Sequence, residues 1–349
     1  MTLSLYVDTA RWRAHQLSVL AEFPGLVPVA KGNGYGFGNG RLAAEADRLG
    51  TGVLAVGTTR EAAGLLDGYE GDLLVLTPYR VGEQSPQLSN RVVRTVAHAE
   101  AFQSLPVGSR VVVECMTTMR RHGIAHADLP RLAVNGLGFD ARAGIEGFAL
   151  HLPLDRPDDS DPVAEVAGWV RAIAAAGLPT GTVFLSHLSS ADLTRLVRQF
   201  PATTFRSRIG TRLWLGDVGS LRACATVLDA TPVTRGQRYG YRQHKAPSDG
   251  HLLVVTGGTA HGVGLEAPKY LHGVLPRAKG LARAGLATVN RTLSPYSWSG
   301  RQLWFAEPPH MQVSILFLPA DAAKAPVPGD ELDLNVRHTT THFDLVADR

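Results

Sequence analysis

The chain has 349 residues, a net charge of +4 and an apolar content of 44%. This length suits one large domain and a smaller one. The mild charge, without a Lys/Arg run, argues against a nucleic-acid partner, and no apolar stretch is long enough to span a bilayer. Because the first residues lack the pattern of a signal peptide, we expect a cytoplasmic protein.

Short apolar runs rich in β-branched residues alternate with helical patterns over the first 220 residues. Eight runs are predicted to be strands: Leu26–Ala30, Val53–Val56, Leu73–Leu76, Val92–Val96, Val111–Cys115, Gly147–His151, Thr182–Ser186 and Phe205–Ile209. The helical patterns are Thr9–Phe23, Arg41–Leu49, Thr59–Leu66, Pro162–Ala176 and Ser190–Phe200. Eight such units predict a (β/α)8 barrel of the TIM type. A doubly wound sheet is the alternative, but no GxGxxG follows the first strand.

The pattern changes after about Gly219. Strands separated by turn signals are then predicted at Val227–Leu228, Leu252–Val255, Val313–Leu318 and Leu332–Val336. We therefore expect a barrel over residues 1–220 and a C-terminal all-β domain over residues 221–349. The stretch Val274–Gly300 is loop-like and carries several arginines, which would favour an acidic substrate if they lined the entrance; a solvated loop is the alternative.

Lys31 is the only lysine among the first 244 residues, where arginine carries the other positive charge. It follows an apolar run and precedes a glycine-rich loop, so it would end the first barrel strand. A desolvated lysine at a strand end can lose its proton, and a free amine can form a Schiff base with a carbonyl cofactor. The alternative is a surface lysine left over from an arginine-biased composition.

Active sites of such barrels lie at the C-terminal ends of the strands, and phosphates often bind after strands seven and eight. The loop after the seventh predicted strand, 187–192, offers hydroxyls at a helix N-terminus, where an anion is favoured. The loop after the eighth contains Gly210, which lets backbone amides approach a phosphate. A lysine amine and a phosphate site on one rim predict pyridoxal phosphate, whereas ordinary N-capping is the alternative for the serines.

These motifs together resemble the alanine racemase family. The family signature Lys-Ala-Asn-Ala-Tyr-Gly-His-Gly corresponds to residues 31–38. Residues 119–123 resemble Met-Gly-Arg-Leu-Gly, residues 148–151 resemble the segment ending in the histidine beside the cofactor, residues 187–190 resemble the phosphate loop, and residues 208–210 resemble Arg-Pro-Gly. The resemblance covers essentially the whole predicted barrel and, more weakly, the β domain.

The resemblance implies roles for the matched residues. Lys31 would hold pyridoxal phosphate as a Schiff base and transfer protons. Arg208 would face the pyridine nitrogen and keep it unprotonated, because two cations repel, and this favours racemisation. His151 would pack near the ring, or it is a core histidine; Arg121 would bind the ring hydroxyl and the substrate carboxylate, or it is a surface ion-pair residue. The phosphate would be held by Tyr35, Ser190, Gly210 and Thr211.

The chain departs from the family at the second base. A racemase needs one base on each face of the α-carbon, and the family uses the tyrosine of Gly-Tyr-Ala-Asp-Gly. The corresponding segment here, residues 258–262, has Thr259 in its place. His261 is a substitute base by its chemistry, or a structural hydrogen-bonding residue. Met311 matches a substrate-site methionine. The family dimer, in which one subunit completes the site of the other, implies that these three residues act in a partner's site.

A second departure lies on the fifth predicted strand, where Glu114 replaces a lysine that is often carbamylated in the family. We expect Glu114 to supply the anion directly and to pair with Arg121. The expected function is a pyridoxal phosphate-dependent racemase of a small amino acid, with no metal. The alternatives are one-sided chemistry on the same fold, such as dehydration, aldol cleavage or epimerisation, and a non-catalytic cofactor-binding protein.

Overall fold

The computed structural model describes residues 2–82, 89–136, 143–265, 292–321 and 324–349. The chain divides into two compact units. The barrel unit comprises Arg13–Gly34 and Gly38–Gly216, and the strand-rich unit comprises Met1–Trp12, Tyr35–Phe37 and Asp217–Arg349. The strand-rich unit thus takes in two segments from the first part of the chain. The domain boundary expected between residues 220 and 221 stays a prediction.

The described strands, in chain order, are β1 (Leu3–Val7), β2 (Val27–Ala30), β3 (Val53–Val56), β4 (Asp72–Val75), β5 (Val92–Val96), β6 (Ser109–Cys115), β7 (Ala143–His151), β8 (Thr182–Ser186), β9 (Thr204–Ile209), β10 (Leu221–Val233), β11 (Arg238–Tyr239), β12 (His244–Lys245), β13 (Gly250–Thr256), β14 (Leu293–Trp298), β15 (Arg301–Phe305), β16 (Val313–Pro319), β17 (Glu331–Leu334) and β18 (Leu345–Asp348). The α-helices are α1 (Thr9–Glu22), α2 (Asn39–Arg48), α3 (Thr59–Ala63), α4 (Leu129–Gly136), α5 (Pro162–Ala175), α6 (Ser190–Gln199) and α7 (Thr211–Leu215). None of the helices in these described ranges has the length and apolar character needed to cross a bilayer.

The barrel unit is built on a closed ring of parallel strands, β2 to β9, in sequence order. This confirms the predicted TIM-type barrel, and each of the eight predicted strands is present. Strands of such a barrel are buried on both faces, so they are continuous apolar runs in sequence. Inside the ring the packed side chains come from successive strands and include Val27, Val29, Ala55, Leu74, Val93, Val112, Ala149 and Phe184. The interior is therefore a filled core, and chemistry is left to the rim.

The short helix α7 was not predicted from the sequence. It follows β9 directly and is anchored by Trp214, whose indole N–H donates to the carbonyl of Val29 on β2 at 2.8 Å. Because β2 and β9 pair in parallel, with Val27 opposite Arg208, this anchor fixes the loop after β9 beside the end of β2. Two of the predicted site segments are thereby held at the same rim.

The strand-rich unit contains a mainly antiparallel sheet in the order β13-β16-β15-β14-β17-β10-β1-β18. The long strand β10 pairs with β17 through Cys224–Thr226 and with β13 through Val227–Val233, so the sheet returns on itself. Its apolar core includes Leu3, Val255, Tyr296, Leu316 and Leu332. The predicted all-β character of this part is confirmed.

Two features of this unit differ from the expectation. The N-terminal strand β1 was not predicted, because its partner β10 lies more than 200 residues away and only that pairing makes Leu3 a core residue. The stretch Val274–Gly300 was expected to be loop-like; most of it lies outside the described residues, but β14 is a strand. Pro295 argues against a strand in the sequence. In the structure this proline lies where β14 has an irregular register with β15.

The loop after β6 carries Arg121 and depends on Gly123. The backbone N–H of Ile124 donates to the Glu114 carbonyl at 2.8 Å, which folds the loop back onto the strand. Gly123 has φ +140°, and a Cβ there would lie 2.5 Å from the Met116 nitrogen. This close backbone approach can be met only by glycine.

We predict that Gly123→Ala lowers the free energy of unfolding by more than about 2 kcal/mol. The alanine would be strained at this positive φ, and the neighbouring backbone would also have to move away from its Cβ. Gly108→Ala, just before β6, is the matched control. It also has a positive φ, +81°, but nothing lies within 4 Å of its added Cβ, so we expect a loss of only about 1 kcal/mol. Urea denaturation of the two variants measures both; equal losses would contradict the packing argument.

Candidate active site at the barrel rim

Lys31 is the first residue after β2, at the C-terminal rim of the barrel. Its carbonyl accepts from the Gly34 N–H at 3.1 Å, which starts a tight turn. Gly34 has φ +62°, and a Cβ there would lie 2.6 Å from the Asn39 nitrogen, so the turn requires glycine. Tyr35 follows, buried, with φ 56°. The sequence signature thus encodes a compact turn that presents the lysine at the rim.

Three groups around Lys31 set its charge. Desolvation lowers the pKa of Lys31, Arg121 and Arg208 lower it further, and Glu61 raises it in part. Part of the side chain stays exposed to solvent. A lowered pKa means that more of the lysine is free amine at neutral pH than for an ordinary lysine.

Glu61 was not singled out from the sequence. Its carboxylate accepts backbone N–H groups of Gly32 at 2.9 Å, Gly57 at 2.6 Å and Thr58 at 3.1 Å. Gly32 belongs to the lysine turn, whereas Gly57 and Thr58 follow β3. Glu61 therefore ties two neighbouring rim loops together beside Lys31. The capping box formed with Thr58 was the available sequence signal, because Glu stands three residues after Thr.

Arg208 lies on β9 and Glu114 lies on β6, and both side chains are buried in the barrel unit. Arg208 Nη1 is 3.4 Å from Glu114 Oε2, with side chains 4% and 3% exposed. The Nε and Nη2 atoms of Arg208 are buried without a hydrogen-bond partner among the described residues. The predicted pairing of Glu114 with Arg121 is corrected here: Glu114 is on the strand and reaches Arg208, whereas Arg121 is exposed on the following loop.

Two histidines stand at the ends of neighbouring strands. His151 ends β7 and His187 follows β8; their rings meet edge to face with centroids 5.0 Å apart. Desolvation, followed by Arg121 and Arg208, lowers the pKa of His151 to about 3. Desolvation also lowers the pKa of His187, and Arg156 and Arg208 add to the effect. Both rings are therefore neutral at physiological pH and can donate or accept single hydrogen bonds.

His187 belongs to a motif of the sequence analysis but is not among the predicted site residues. Its position directly after β8, at the rim where functional groups gather, was a usable signal. It has φ 62°, and its carbonyl accepts from Arg156 Nη2 at 2.6 Å. A non-glycine residue with positive φ beside Lys31 and Arg208 is the kind of strained position found at functional sites.

The predicted phosphate residues lie on the loops after β8 and β9. Ser189, not Ser190, is the N-cap of α6, since it accepts from the Asp192 N–H at 3.1 Å. The Ser190 hydroxyl donates to Glu22 at 3.0 Å, and Glu22 also pairs with Arg212. Gly210 is the N-cap residue of α7, its carbonyl accepts from the Trp214 N–H at 3.0 Å, and Thr211 is exposed beside it. The N-capping explanation thus applies to one serine only.

In the strand-rich unit, Thr259 and His261 belong to one 3-10 helical turn, Thr259–His261. Thr259 is exposed and His261 is 8% exposed. His261 Nδ1 accepts from the Gly258 N–H at 3.3 Å, and Nε2 lies 3.2 Å from Asp344 Oδ1. Both ring nitrogens are therefore occupied. Met311, 71% exposed, lies beside this turn, since its carbonyl accepts from the Ala260 N–H at 3.0 Å.

Comparison with known proteins gives the same family as the sequence motifs. The family model described as alanine racemase, N-terminal domain, matches residues 7–216. The alanine racemase of Mycolicibacterium vanbaalenii is 29% identical over 278 residues, covering 72% of this chain and 70% of that protein. The alanine racemase of Mycobacterium bovis is 28% identical over 277 residues, covering 71% of each.

Two solved structures resemble the fold over nearly the whole chain. Alanine racemase from Bartonella henselae with covalently bound pyridoxal phosphate has a TM-score of 0.71 and 17% identity, covering 97% of this chain and 91% of that one. Alanine racemase from E. faecalis has a TM-score of 0.70 and 19% identity, covering 100% and 98%. At these identities the likeness establishes the fold.

We predict that Lys31 reacts with an amine reagent at lower pH than the exposed Lys245. The lowered pKa of Lys31 places its free amine in a lower pH range, so its labelling should rise earlier as pH increases. Trinitrobenzenesulfonate labelling between pH 7 and 10, read by peptide mass spectrometry, measures this. Arg121→Gln removes one neighbouring cation and should move the Lys31 midpoint upward. Identical profiles for the two lysines would contradict the desolvation argument.

We predict that Glu114→Ala lowers the free energy of unfolding by about 3–5 kcal/mol, because it leaves the Arg208 charge buried and unpaired. Asp321→Ala is the matched control, since it breaks an exposed pair with Arg301 and should cost at most about 1 kcal/mol. In urea denaturation of the cofactor-free protein, the double variant Glu114→Leu, Arg208→Met should recover much of the loss. If the double variant lost as much stability as Glu114→Ala, the unpaired Arg208 charge could not be the cause of the loss.

Proposed function

The chain belongs to the alanine racemase family, and from this we propose that it is a pyridoxal phosphate-dependent racemase acting on a small amino acid. The observation that carries the proposal is Lys31, a lysine at the barrel rim whose pKa is lowered by desolvation and further by Arg121 and Arg208. The cofactor is indicated by the family relationship and by the likeness to a structure that contains it covalently bound. The substrate class is indicated by the names of the relatives.

The residues at the rim fit this cofactor. Buried N–H groups of Arg208 without described partners need an acceptor, and a pyridine nitrogen is one. The neutral His151 and His187 rings add no positive charge of their own to this region. We assign Arg208 to the ring nitrogen, His151 to the ring, and Arg121 to the ring hydroxyl and the substrate carboxylate.

The phosphate is assigned to Tyr35, Ser190, Gly210 and Thr211. The backbone N–H groups after Gly210 and the Thr211 hydroxyl are available at the end of β9. Ser190 is now bonded to Glu22, so it must exchange that partner to bind a phosphate. After this exchange, the charge of Glu22 would still be paired with Arg212.

Pyridoxal phosphate, when bound, acidifies the α-hydrogen of an amino acid attached to it. Lys31 would hold the cofactor covalently through Nζ, and once the incoming substrate has released this amine, Nζ would accept the α-proton from one face of the substrate. Its lowered pKa supports both tasks, because each requires the free amine. Arg121 orients the substrate carboxylate, so that the Cα–H bond faces Nζ. Arg208, paired with Glu114, would face the ring nitrogen and disfavour its protonation.

We also propose a homodimer in which the strand-rich unit of one subunit completes the site of the other with Thr259, His261 and Met311. The exposure of Thr259 and Met311 supports their presentation to a partner. The two hydrogen bonds of His261 support its structural alternative, in which it shapes the turn, over its use as a base. The expected cytoplasmic location stays a prediction.

One-sided chemistry on the same fold is the second candidate function. The observation that favours it is the pair formed by Thr259, whose hydroxyl is a poor base, and His261, whose nitrogens are occupied. With Lys31 as the only proton-transfer group, one enantiomer would be deprotonated without inversion. The α-proton exchange pattern separates this from a racemase.

The test is α-proton exchange in D2O by the purified protein loaded with pyridoxal phosphate, given L-alanine, D-alanine or L-serine. Proton NMR follows exchange and chiral chromatography follows inversion. We expect exchange of both enantiomers with inversion, and we expect Lys31→Ala to reduce it at least about 100-fold. Lys245→Ala, an exposed lysine on β12, is the control and should match the wild type.

The other outcomes decide between the alternatives. Exchange of a single enantiomer without inversion would replace the racemase assignment by one-sided chemistry. Absence of exchange with all three amino acids, together with retained cofactor absorbance, would reject the proposed activity and leave cofactor binding alone.

A further inference from the structure

Glu307 is a buried carboxylate of the strand-rich unit that the proposed mechanism does not use. It is 5% exposed. Its Oε2 accepts from the Tyr241 backbone N–H at 2.9 Å, and its Oε1 lies 2.7 Å from His310 Nε2. Gly240 has φ +69°, and a Cβ there would overlap the carboxylate. The loop is therefore shaped to enclose Glu307 and to hold it against one imidazole.

His310 is oriented by this carboxylate but is not enclosed with it. Its side chain is 26% exposed, against 3% for Glu307. Nε2 is committed to Glu307, and no described hydrogen bond involves Nδ1. The ring packs 4.8 Å from the exposed Tyr241 ring. An imidazole with one nitrogen on a buried carboxylate and the other open is the arrangement of a general acid–base.

The backbone places His310 beside the turn that carries Thr259. The Thr259 N–H donates to the His310 carbonyl at 2.8 Å, and the Ala260 N–H donates to the Met311 carbonyl at 3.0 Å. A Cβ at Gly258 would lie 2.6 Å from the Met311 carbonyl oxygen, so the two segments are in direct contact. The His310 segment is therefore bonded through its backbone to the turn that carries Thr259, one of the residues assigned to the partner's site.

We propose that His310 is the second proton-transfer residue, acting in the site of a second copy of this chain, and that Glu307 is its positioning residue. This inference rests on the racemase function proposed above. It supplies the base that neither Thr259 nor His261 provides.

The proton balance is simple. In one direction Lys31 Nζ takes the α-proton as the Cα–H bond breaks, and protonated His310 donates its Nδ1 proton to the opposite face as the new Cα–H bond forms. In the other direction neutral His310 takes the proton and the Lys31 ammonium donates. No redox partner is needed. Glu307 holds Nε2 by a hydrogen bond and so leaves Nδ1 as the transferring atom.

The test compares His310→Asn and Glu307→Gln with His244→Asn, a histidine on β12 that also packs against a tyrosine, Tyr239. Each enantiomer of alanine is incubated separately with the loaded protein in D2O. For His310→Asn we expect exchange from one enantiomer to persist, and exchange from the other, with all inversion, to fall at least about 100-fold. Glu307→Gln should reduce inversion less and His244→Asn not at all. Added imidazole should restore inversion to His310→Ala.

A second readout does not depend on turnover. Diethyl pyrocarbonate modification, located by peptide mass spectrometry, should mark His310 in the cofactor-free protein. We expect pyridoxal phosphate with alanine to protect His310 at least about tenfold, while His244 is modified equally in both states. Equal modification of His310 in both states would overturn its placement at the substrate.

The outcomes separate the two proposals. If the wild type inverts alanine and His310→Asn inverts it equally well, the His310 assignment is wrong and the proposed function stands. If His261→Asn alone removes inversion while its urea midpoint is unchanged, the second base is His261. If the wild type exchanges neither enantiomer, the proposed function fails and this inference fails with it.

Discussion

The site depends on a concentration of positive charge at the C-terminal rim of the barrel. Desolvation lowers the pKa of Lys31 and of His151, and Arg121 and Arg208 lower both further. The lowered pKa values of the amine and of the imidazole therefore have common causes. The cost of burying Arg208 is offset by Glu114, which lies 3.4 Å away in the same interior. The buried Glu114–Arg208 pair thus allows a cation in the barrel interior, and this cation lowers the pKa values of its neighbours.

The rim loops keep this arrangement in place with backbone interactions. Glu61 joins the loops after β2 and β3 through three N–H groups, and Gly123 presses the Arg121 loop onto β6. Without such bonds, mutual repulsion would move the cationic side chains at the rim apart. Because the loops are bonded to each other and to the strands, the charges remain close enough to influence each other's protonation.

Much of the barrel was predictable because parallel strands buried on both faces are apolar runs with loop residues at their ends. Lys31 was predictable because a rare residue stood at one such end. The Glu114–Arg208 pair was not, since it joins strands 94 residues apart across the barrel interior. Strand β1 depended likewise on a distant partner. The Glu307–His310 pair is only three residues apart, but its burial follows from the Gly240 loop, which no local pattern connects to it.

The two units differ in how strongly they constrain their functional side chains. In the barrel unit, desolvation lowers the pKa values of Lys31, His151 and His187, and Arg121 and Arg208 lower all three further, so a change at either arginine alters all three groups. In the strand-rich unit, the turn with Thr259 is joined to His310 and Met311 by backbone hydrogen bonds. Those bonds hold whatever side chain stands at 259. On our proposal the second base can therefore stand on either of these two segments without disturbing the turn, whereas the position of Lys31 is fixed by the end of β2.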